Sequence, residues 1–524
     1  MLVKINAAKC VGIDAVAVTI EVNCVVGIGI HLVGLADIAV KESLLRTTTA
    51  LRSIGYRIPG KQIVINLAPA DLHKSGSGYD LPIAVGIIAV IMKDADKLPG
   101  LGRFMIMGEL GLDGSVRAIP GALPYAELAA AMGLDGIILP EESALEAVEF
   151  RDIKVFGVKT LQDVVSILQD PDGSGNLLIW DTQCYRKMSR QAMHEKGGNA
   201  TAAEVDFADI IGQEAAKRGM EIAAAGAHNI ILVGSPGSGK SSLAKALPGI
   251  MPKMTREEAV VTSKIYSIAG KGRQRYGLIR ERPFRAPHYS ASIAAIIGGG
   301  GGDNVSPGEV SLAQNGVLFL DEVGQMPRST LDALRGPMED RKVTISRLKS
   351  KVIYPADFML AAASNPCPCG WWGDGDRCNC NPTQRRNYLG RLSGPILDRI
   401  DLQCIVRSIT PEELAAGKKK GAESSAAVAE RVLKARVVQK MRFAGENILT
   451  NSQMNNKQIE KYCPLSPACE ETMIRIMEKM GLSMRAYFRI IRLSRTIADL
   501  DGERDILPRH LIEAAGYRFL DKVQ

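Results

Sequence analysis

One octapeptide, Gly234-Ser235-Pro236-Gly237-Ser238-Gly239-Lys240-Ser241, constrains this chain more than any other feature. It follows the apolar run Asn229 to Gly234, so it reads as a strand, a tight turn and the start of a helix. The pattern G-x-x-x-x-G-K-[ST] lets successive backbone N–H groups face a β-phosphate at the positive end of the helix that follows. Lys240 adds a point charge there, and Ser241 offers a ligand to Mg2+. The implied cofactors are ATP and Mg2+, with the cradle running from Gly234 through Ser242; an ordinary Gly-rich turn is the alternative.

A second motif, the apolar run Gly316 to Leu320 followed by Asp321 and Glu322, looks like the C-terminal edge of a buried parallel strand. Asp321 is expected to hold Mg2+ through water, and Glu322 to orient and polarise an attacking water. That division of roles suits hydrolysis better than binding alone. Solvated acids capping a strand would look the same, but only the pairing with the phosphate loop gives them a role.

The chain has 524 residues, 46% of them apolar and 23% charged, and is ordinary globular material with room for roughly three domains. Short β-branched runs (Val16 to Val22, Gln62 to Leu67, Gly136 to Leu139) alternate with Ala-rich stretches such as Tyr125 to Met132, which indicates an α/β or α+β domain over residues 1–168. Turn formers from Gln169 onward predict a linker over 169–204. The nucleotide-binding domain is expected over 205–408, with strands at Asn229 to Val233, Val317 to Leu320 and Phe358 to Ala363. Periodic runs at Ala427 to Met441, Cys469 to Met480 and Met484 to Leu500 predict a helical segment over 409–524.

A formal charge of +8 permits a polyanionic partner without requiring one. No secretory pattern is visible, and the longest apolar run, Leu81 to Met92, is too short to span a bilayer and contains Pro82. A soluble cytoplasmic protein with no membrane partner is the expectation. Its ten cysteines should then stay reduced, favouring metal binding or burial over disulfides.

Three more stretches join the two motifs: Arg282-Pro-Phe-Arg-Ala-Pro-His288, Leu334-Arg-Gly-Pro-Met-Glu-Asp340 and Leu392-Ser-Gly-Pro-Ile-Leu-Asp-Arg-Ile-Asp401. Together they resemble the magnesium-chelatase-like AAA+ ATPases of the bacterial ComM/YifB family, over essentially the whole chain. The resemblance implies an α/β AAA+ P-loop core with a C-terminal helical lid, preceded by a Lon-protease-like (ribosomal S5-like) α+β domain. It places Asn365 as sensor 1, reading the γ-phosphate; the alternative is a loop amide bonded to backbone. Arg399 matches the arginine finger that a neighbouring subunit's nucleotide receives, with Arg391 a second candidate, against the alternative of local ion pairs. Arg485 matches sensor 2, reaching from the lid to the phosphates. A finger acting in trans implies a homo-oligomeric ring, a hexamer by the family's pattern.

In the N-terminal domain the positions of a Lon-type Ser-Lys dyad are held by Asp80 and Leu123, which cannot attack a peptide carbonyl. Ser75, Ser77 and Lys74 lie near enough in sequence to form an offset site, but protease activity is not expected. The family implies an ATP-driven ring motor on DNA, with branch-migration or helicase-like activity in natural transformation or recombination. The alternative is a protein-remodelling or chelatase-type ATPase.

Two signals stand beside the resemblance. Cys367, Cys369, Cys378 and Cys380 place two C-x-C pairs around a Gly-rich turn just after Asn365, enough reduced thiol for a tetrahedral Zn2+ site of structural role, or for free cysteines packed in a loop. Basic and aromatic residues interleave from Lys271 through Arg273, Arg275, Tyr276, Arg280, Arg282, Phe284, Arg285 and His288 to Tyr289. They suit phosphates and unstacked bases, or form a solvated mobile insertion.

Overall fold

The computed structural model describes residues 2–35, 37–92, 97–197, 205–272, 276–300, 305–346, 351–373, 377–390, 394–409 and 423–522. Seven strands form the N-terminal sheet: β1 (Leu2–Val11), β2 (Asp14–Val25), β3 (Gly29–Val33), β4 (Gln62–Ala68), β5 (Phe104–Ile106), β6 (Gly136–Pro140) and β7 (Lys154–Val158). Their order is β3-β4-β2-β1-β5-β6-β7. The β1/β2 and β2/β4 pairs are antiparallel and the others parallel, a mixed sheet as an α+β domain requires. The apolar run singled out in the sequence is helix α1 (Asp80–Met92), buried from Asp80 through Val90 in the centre of this domain's core.

The stretch expected to link the domains is structured over its first part. Ile179 is fully buried in the N-terminal core, Trp180 Nε1 donates to the Val148 carbonyl at 3.0 Å, and helix α2 (Gln183–Gly197) follows. The turn formers around Asp170 hid a segment that packs back onto its own domain. Residues 198–204 lie outside the described residues.

The second sheet contains β8 (Ile230–Gly234), β9 (Phe284–Arg285), β10 (Val317–Leu320), β11 (Met359–Ser364) and β12 (Leu402–Val406), in the order β9-β10-β11-β8-β12. All four pairings are parallel. Strands β8, β10 and β11 are buried at every position, because helices cover both faces and no alternation with polar residues is needed. Strand β8 lies between the fourth and fifth strands of the domain, so the chain order reverses beside it, and the crevice for ligands opens at the carboxyl ends there.

The arginine- and aromatic-rich stretch is not a mobile insertion where it is described. Phe284 and Arg285 pair with Val317 and Leu318 as the edge strand β9, and Phe284 stacks on Phe319 with ring centroids 5.8 Å apart. Its described arginines are held by carboxylates: Arg280 stays exposed but meets Glu149 at 2.7 Å, Arg282 meets Glu258 at 3.1 Å, and Arg285 grips Glu309 with two bonds of 2.6 and 2.8 Å. Tyr276 lies on Tyr185 of α2. Residues 273–275 are outside the described set.

The C-terminal helices α3 (Ser425–Arg442), α4 (Pro467–Met480) and α5 (Met484–Leu500) match the three periodic runs, and α6 (Pro508–Gly516) is a further helix that the sequence reading did not single out. Val428, Val432, Ile490 and Ile497 share one core with Ile230, Leu232 and Leu247, so these helices flank the ATPase sheet.

Candidate functional site

The turn after β8 is shaped by Gly237 and Gly239, at φ of 75° and 94°, where a side chain would be strained. This winds the chain so that backbone N–H groups face the space in front of the helix Lys240–Ile250. Lys240 Nζ donates to the carbonyls of Gly234 and Ser235 at 2.7 and 2.8 Å and to Asn365 Oδ1 at 3.2 Å. Burial lowers the Lys240 pKa, opposed by the charges of Asp321 and Glu322. Asn365 sits just past β11, next to β8 in the sheet, so the P-loop lysine and the expected sensor meet directly.

Ser241 Oγ donates to Asp321 Oδ2 at 3.0 Å, bringing the two expected Mg2+ ligands to one point. Hard oxygen donors converging beside a phosphate cradle fit Mg2+ bound together with ATP. Glu322 adopts a left-handed backbone, φ 49° and ψ 39°, unusual for a residue with a Cβ. Such strain costs on the order of 1–3 kcal/mol and persists where a site requires it; here it follows directly on Asp321, whose Oδ1 accepts from the Glu322 N–H at 2.9 Å. Pro236, Ser238 and Ser242 lie in the same loop and first turn. The sequence reading missed Gln213, whose Nε2 donates to the carbonyls of Ser238 at 3.3 Å and Arg407 at 2.5 Å, tying the loop to the end of β12.

The two expected arginines are elsewhere. Asn229, immediately before β8, donates from Nδ2 to the Arg399 carbonyl at 2.8 Å, which places Arg399 at the amino edge of the sheet, opposite the P-loop. Strand β8 separates the two edges by roughly 15 Å at 3.3 Å per residue. The Arg399 guanidinium bonds Glu339, which is largely exposed. Arg485 Nη1 meets Asp398 Oδ2 at 3.1 Å, beside Arg399, so within its own chain it does not reach toward Lys240. Arg391 is outside the described residues.

That amino edge carries a cleft of about 410 Å3 lined by Arg282, Arg399, Arg436, Arg489 and Arg492 together with the carboxylates of Glu258, Glu339, Asp357, Asp398 and Asp401. Burial pulls the Arg436 guanidinium down to about 10, with Arg282 adding repulsion, and burial also lowers Arg489. These cations are already answered within the chain, Arg282 by Glu258, Arg399 by Glu339, Arg489 by Asp398 and Arg436 by the Ala224 carbonyl. The sequence held a readable sign: Arg485, Arg489 and Arg492 recur at i, i+4 and i+7 on α5, one face of a helix. Behind the cleft His228 bridges Asp401 (Nδ1 to Oδ2, 2.9 Å) and Thr496 (Nε2 to Oγ1, 2.8 Å), joining the finger segment to α5. Burial raises the Asp401 carboxyl, but His228 and the nearby arginines outweigh it and hold the group at about 2.

Of the two residues expected in place of a Ser-Lys dyad, Asp80 is fully buried and holds Arg46 with bonds of 2.8 and 3.1 Å, while Leu123 packs against Ala259 and Leu278. Lys74 Nζ donates to the Pro69 carbonyl and Ser77 Oγ to Glu109, so in this arrangement neither activates the other.

The four cysteines cluster. Their sulfurs all lie within 4.8 Å of one another, at the end of the loop that begins with Asn365.

Among the described residues no helix is long and apolar enough to cross a membrane. Residues 206–414 match the family described as magnesium chelatase, subunit ChlI; residues 20–143 match subunit ChlI of Mg-chelatase, and 422–518 its C-terminal family. The chain is 42% identical to competence protein ComM of Haemophilus influenzae over 510 residues, covering 97% of this chain and 95% of that protein. It is 39% identical to protein YifB of Salmonella typhimurium over 525 residues, covering 100% and 98%. A more distant likeness, 24% over 344 residues, covering 60% of this chain and 34% of the relative, links it to DNA replication licensing factor mcm6 of Dictyostelium discoideum.

Proposed function

We propose that this chain, which belongs to the ComM/YifB family of magnesium-chelatase-like AAA+ ATPases, hydrolyses ATP in a closed homo-oligomeric ring and uses that energy to move along DNA. The observation that carries the reading is the split of catalytic groups between opposite edges of one sheet. Lys240, Ser241, Asp321, Glu322 and Asn365 gather at the carboxyl edge, while Arg399 and Arg485 lie at the amino edge beside a cleft lined by arginines and carboxylates. A single subunit cannot join these halves. Neighbours packed head to tail can, and such heterologous contacts close into a ring, a hexamer by the family's pattern.

In this arrangement the P-loop amides and Lys240 hold the β- and γ-phosphates, and Asn365 fixes the lysine while facing the γ-phosphate. Ser241 and Asp321 would hold Mg2+, which would supply charge neutralisation at the phosphate oxygens. Glu322 orients the attacking water and accepts its proton. Arg399 of the neighbour stabilises charge that develops on the transferring group, a contribution on the order of 10³–10⁵ in rate. Arg485 acts beside it, from the same face of α5 as Arg489. His228 ties this face to the finger segment, so movement of the C-terminal helices and of the finger is coupled.

For DNA the supporting feature is the antiparallel hairpin Lys342–Ser346 and Lys351–Pro355. Residues 342–351 carry Lys342, Arg347, Lys349 and Lys351 and no carboxylate; Lys342 and Lys351 are exposed, and 347–350 lie outside the described residues. Exposed cations without acidic partners suit a phosphate backbone. The relatives named for competence and for DNA replication point the same way. We read the N-terminal domain as a Lon-protease-like scaffold and the setting as cytoplasmic. The test is ATP turnover with forked DNA, single-stranded DNA, or casein. Stimulation by DNA without casein cleavage is expected; no response to any DNA refutes the DNA reading and favours a protein-remodelling or chelatase-type role.

A further inference from the structure

We propose that Cys367, Cys369, Cys378 and Cys380 form a tetrahedral zinc centre that clamps the P-loop and Asn365 into their working arrangement. The sulfurs lie 3.3 Å apart between Cys367 and Cys369, 3.8 Å between Cys367 and Cys378, and 3.7 Å between Cys369 and Cys378. Four thiolates at Zn–S bonds of about 2.3 Å define a tetrahedron with edges of about 3.8 Å, whereas a disulfide would bring two sulfurs to about 2.05 Å. The spacing fits a shared metal and excludes a bonded pair.

The surroundings suit a tetrathiolate, which with Zn2+ carries a net charge of about −2. Backbone N–H groups of Trp371 and Asn379 lie near the Cys369 sulfur and that of Trp372 near the Cys367 sulfur, while the Gly370 N–H donates to the Cys367 carbonyl at 3.0 Å and closes the turn. Such N–H···S contacts stabilise and orient thiolate ligands. Two cations stand by: Arg377 lies over the Trp371 ring at 4.4 Å and Arg385 over Trp372 at 5.4 Å. Arg385 Nε also donates to the Cys380 carbonyl at 3.0 Å. All four sulfurs are committed, so no ligand position stays open for catalysis at the metal.

The link to the nucleotide is geometric. Cys367 follows Asn365 by two residues. Within the closed loop Gly370 rests so closely on the P-loop that a Cβ built there would lie 2.8 Å from Pro236 Cδ and 3.8 Å from Asn365 Cγ. The metal holds the loop shut against the face of the phosphate cradle. The coupling half of this inference rests on the ATPase reading above; the metal half does not.

The test begins with elemental analysis of protein purified without chelator, where about one zinc per chain is expected. Co2+ reconstitution should give thiolate charge-transfer and tetrahedral ligand-field bands, and Cys378→Ser should lose them. Stripping the metal reversibly from the parental chain, which avoids any folding defect of the variant, should lower ATPase kcat/KM on the order of 10²-fold, as small displacements of positioned groups do, and Zn2+ alone should restore it. Lys240→Ala should lack turnover yet keep its zinc, so failure of the ATPase reading is distinguishable from failure of this one. Protein with no zinc and no cobalt–thiolate bands overturns the site. Zinc whose removal leaves both ATP affinity and turnover unchanged overturns the clamp.

Discussion

Replacing Arg399 by alanine separates a local role from one exercised across a subunit boundary. Within its own chain the side chain's carboxylate partner is Glu339, which is 61% exposed. Arg399 itself is only 18% exposed, so losing this half-buried pair should cost about 1–3 kcal/mol and several degrees of melting temperature, yet leave the chain folded. In a neighbour's active site the same guanidinium meets charge that appears only in the transition state, and its loss should cost on the order of 10³–10⁵ in kcat, or about 4–7 kcal/mol. Binding of ATP should weaken far less than turnover, because the P-loop, Ser241 and Asp321 are untouched. Steady-state ATPase assays beside equilibrium binding of a fluorescent nucleotide give both quantities. If Arg399→Ala retains more than about a tenth of the parental kcat, the guanidinium does not act at the phosphates and the trans reading fails.

Four further outcomes follow from other contacts. Lys240→Ala should abolish turnover, and a variant that still hydrolyses ATP at the parental rate would show the site to be misplaced. Glu322→Gln should cut kcat by about 10²–10⁴ while ATP still binds, as seen by comparing turnover with nucleotide affinity. His228→Ala leaves Asp401 buried beside an empty space and should cost about 3–5 kcal/mol in denaturant unfolding, whereas Thr496→Val should cost about 1 kcal/mol. His510 is buried, accepts the Leu507 N–H at Nδ1 and faces Asp501 and Arg509; burial lowers its pKa below the ordinary 6.5 despite Asp501. The fold therefore favours the neutral ring: its contribution is present above the unfolded pKa and is lost as pH falls below about 6.5. Melting temperatures between pH 7.5 and 5.5 should fall more for the parental chain than for His510→Asn, which cannot titrate there.

Much of the ATP-binding edge was legible because its chemistry is local. Lys240, Ser241, Asp321 and Glu322 lie in two short motifs whose strands are uniformly apolar, and the sheet simply brings those motifs together. Strand β12 and the two-residue strand β9 were not foreseen, since neither carries a period long enough to read, and β9 is only Phe284 and Arg285 between Pro283 and Pro287. The pairing of Arg280, Arg282 and Arg285 depends on Glu149, Glu258 and Glu309, partners 24 to 131 residues away. The placement of Arg485 at the far edge likewise depends on how α5 crosses the sheet, a matter of packing among Ile490, Ile497 and the core. The buried Asp80–Arg46 pair shows the converse: a carboxylate in a catalytic-looking position is explained only by the partner it holds.

The most direct measurement mixes two inactive proteins, Lys240→Ala and Arg399→Ala, after dissociating and reassembling them together. A site shared between neighbours predicts recovery of about one quarter of parental ATPase at equal mixing, because one interface in four pairs an intact P-loop with an intact finger. A mixture that stays as inactive as its components, though shown by mass to have co-assembled, would contradict the shared site; so would full activity from a parental chain that remains a single subunit in the presence of ATP.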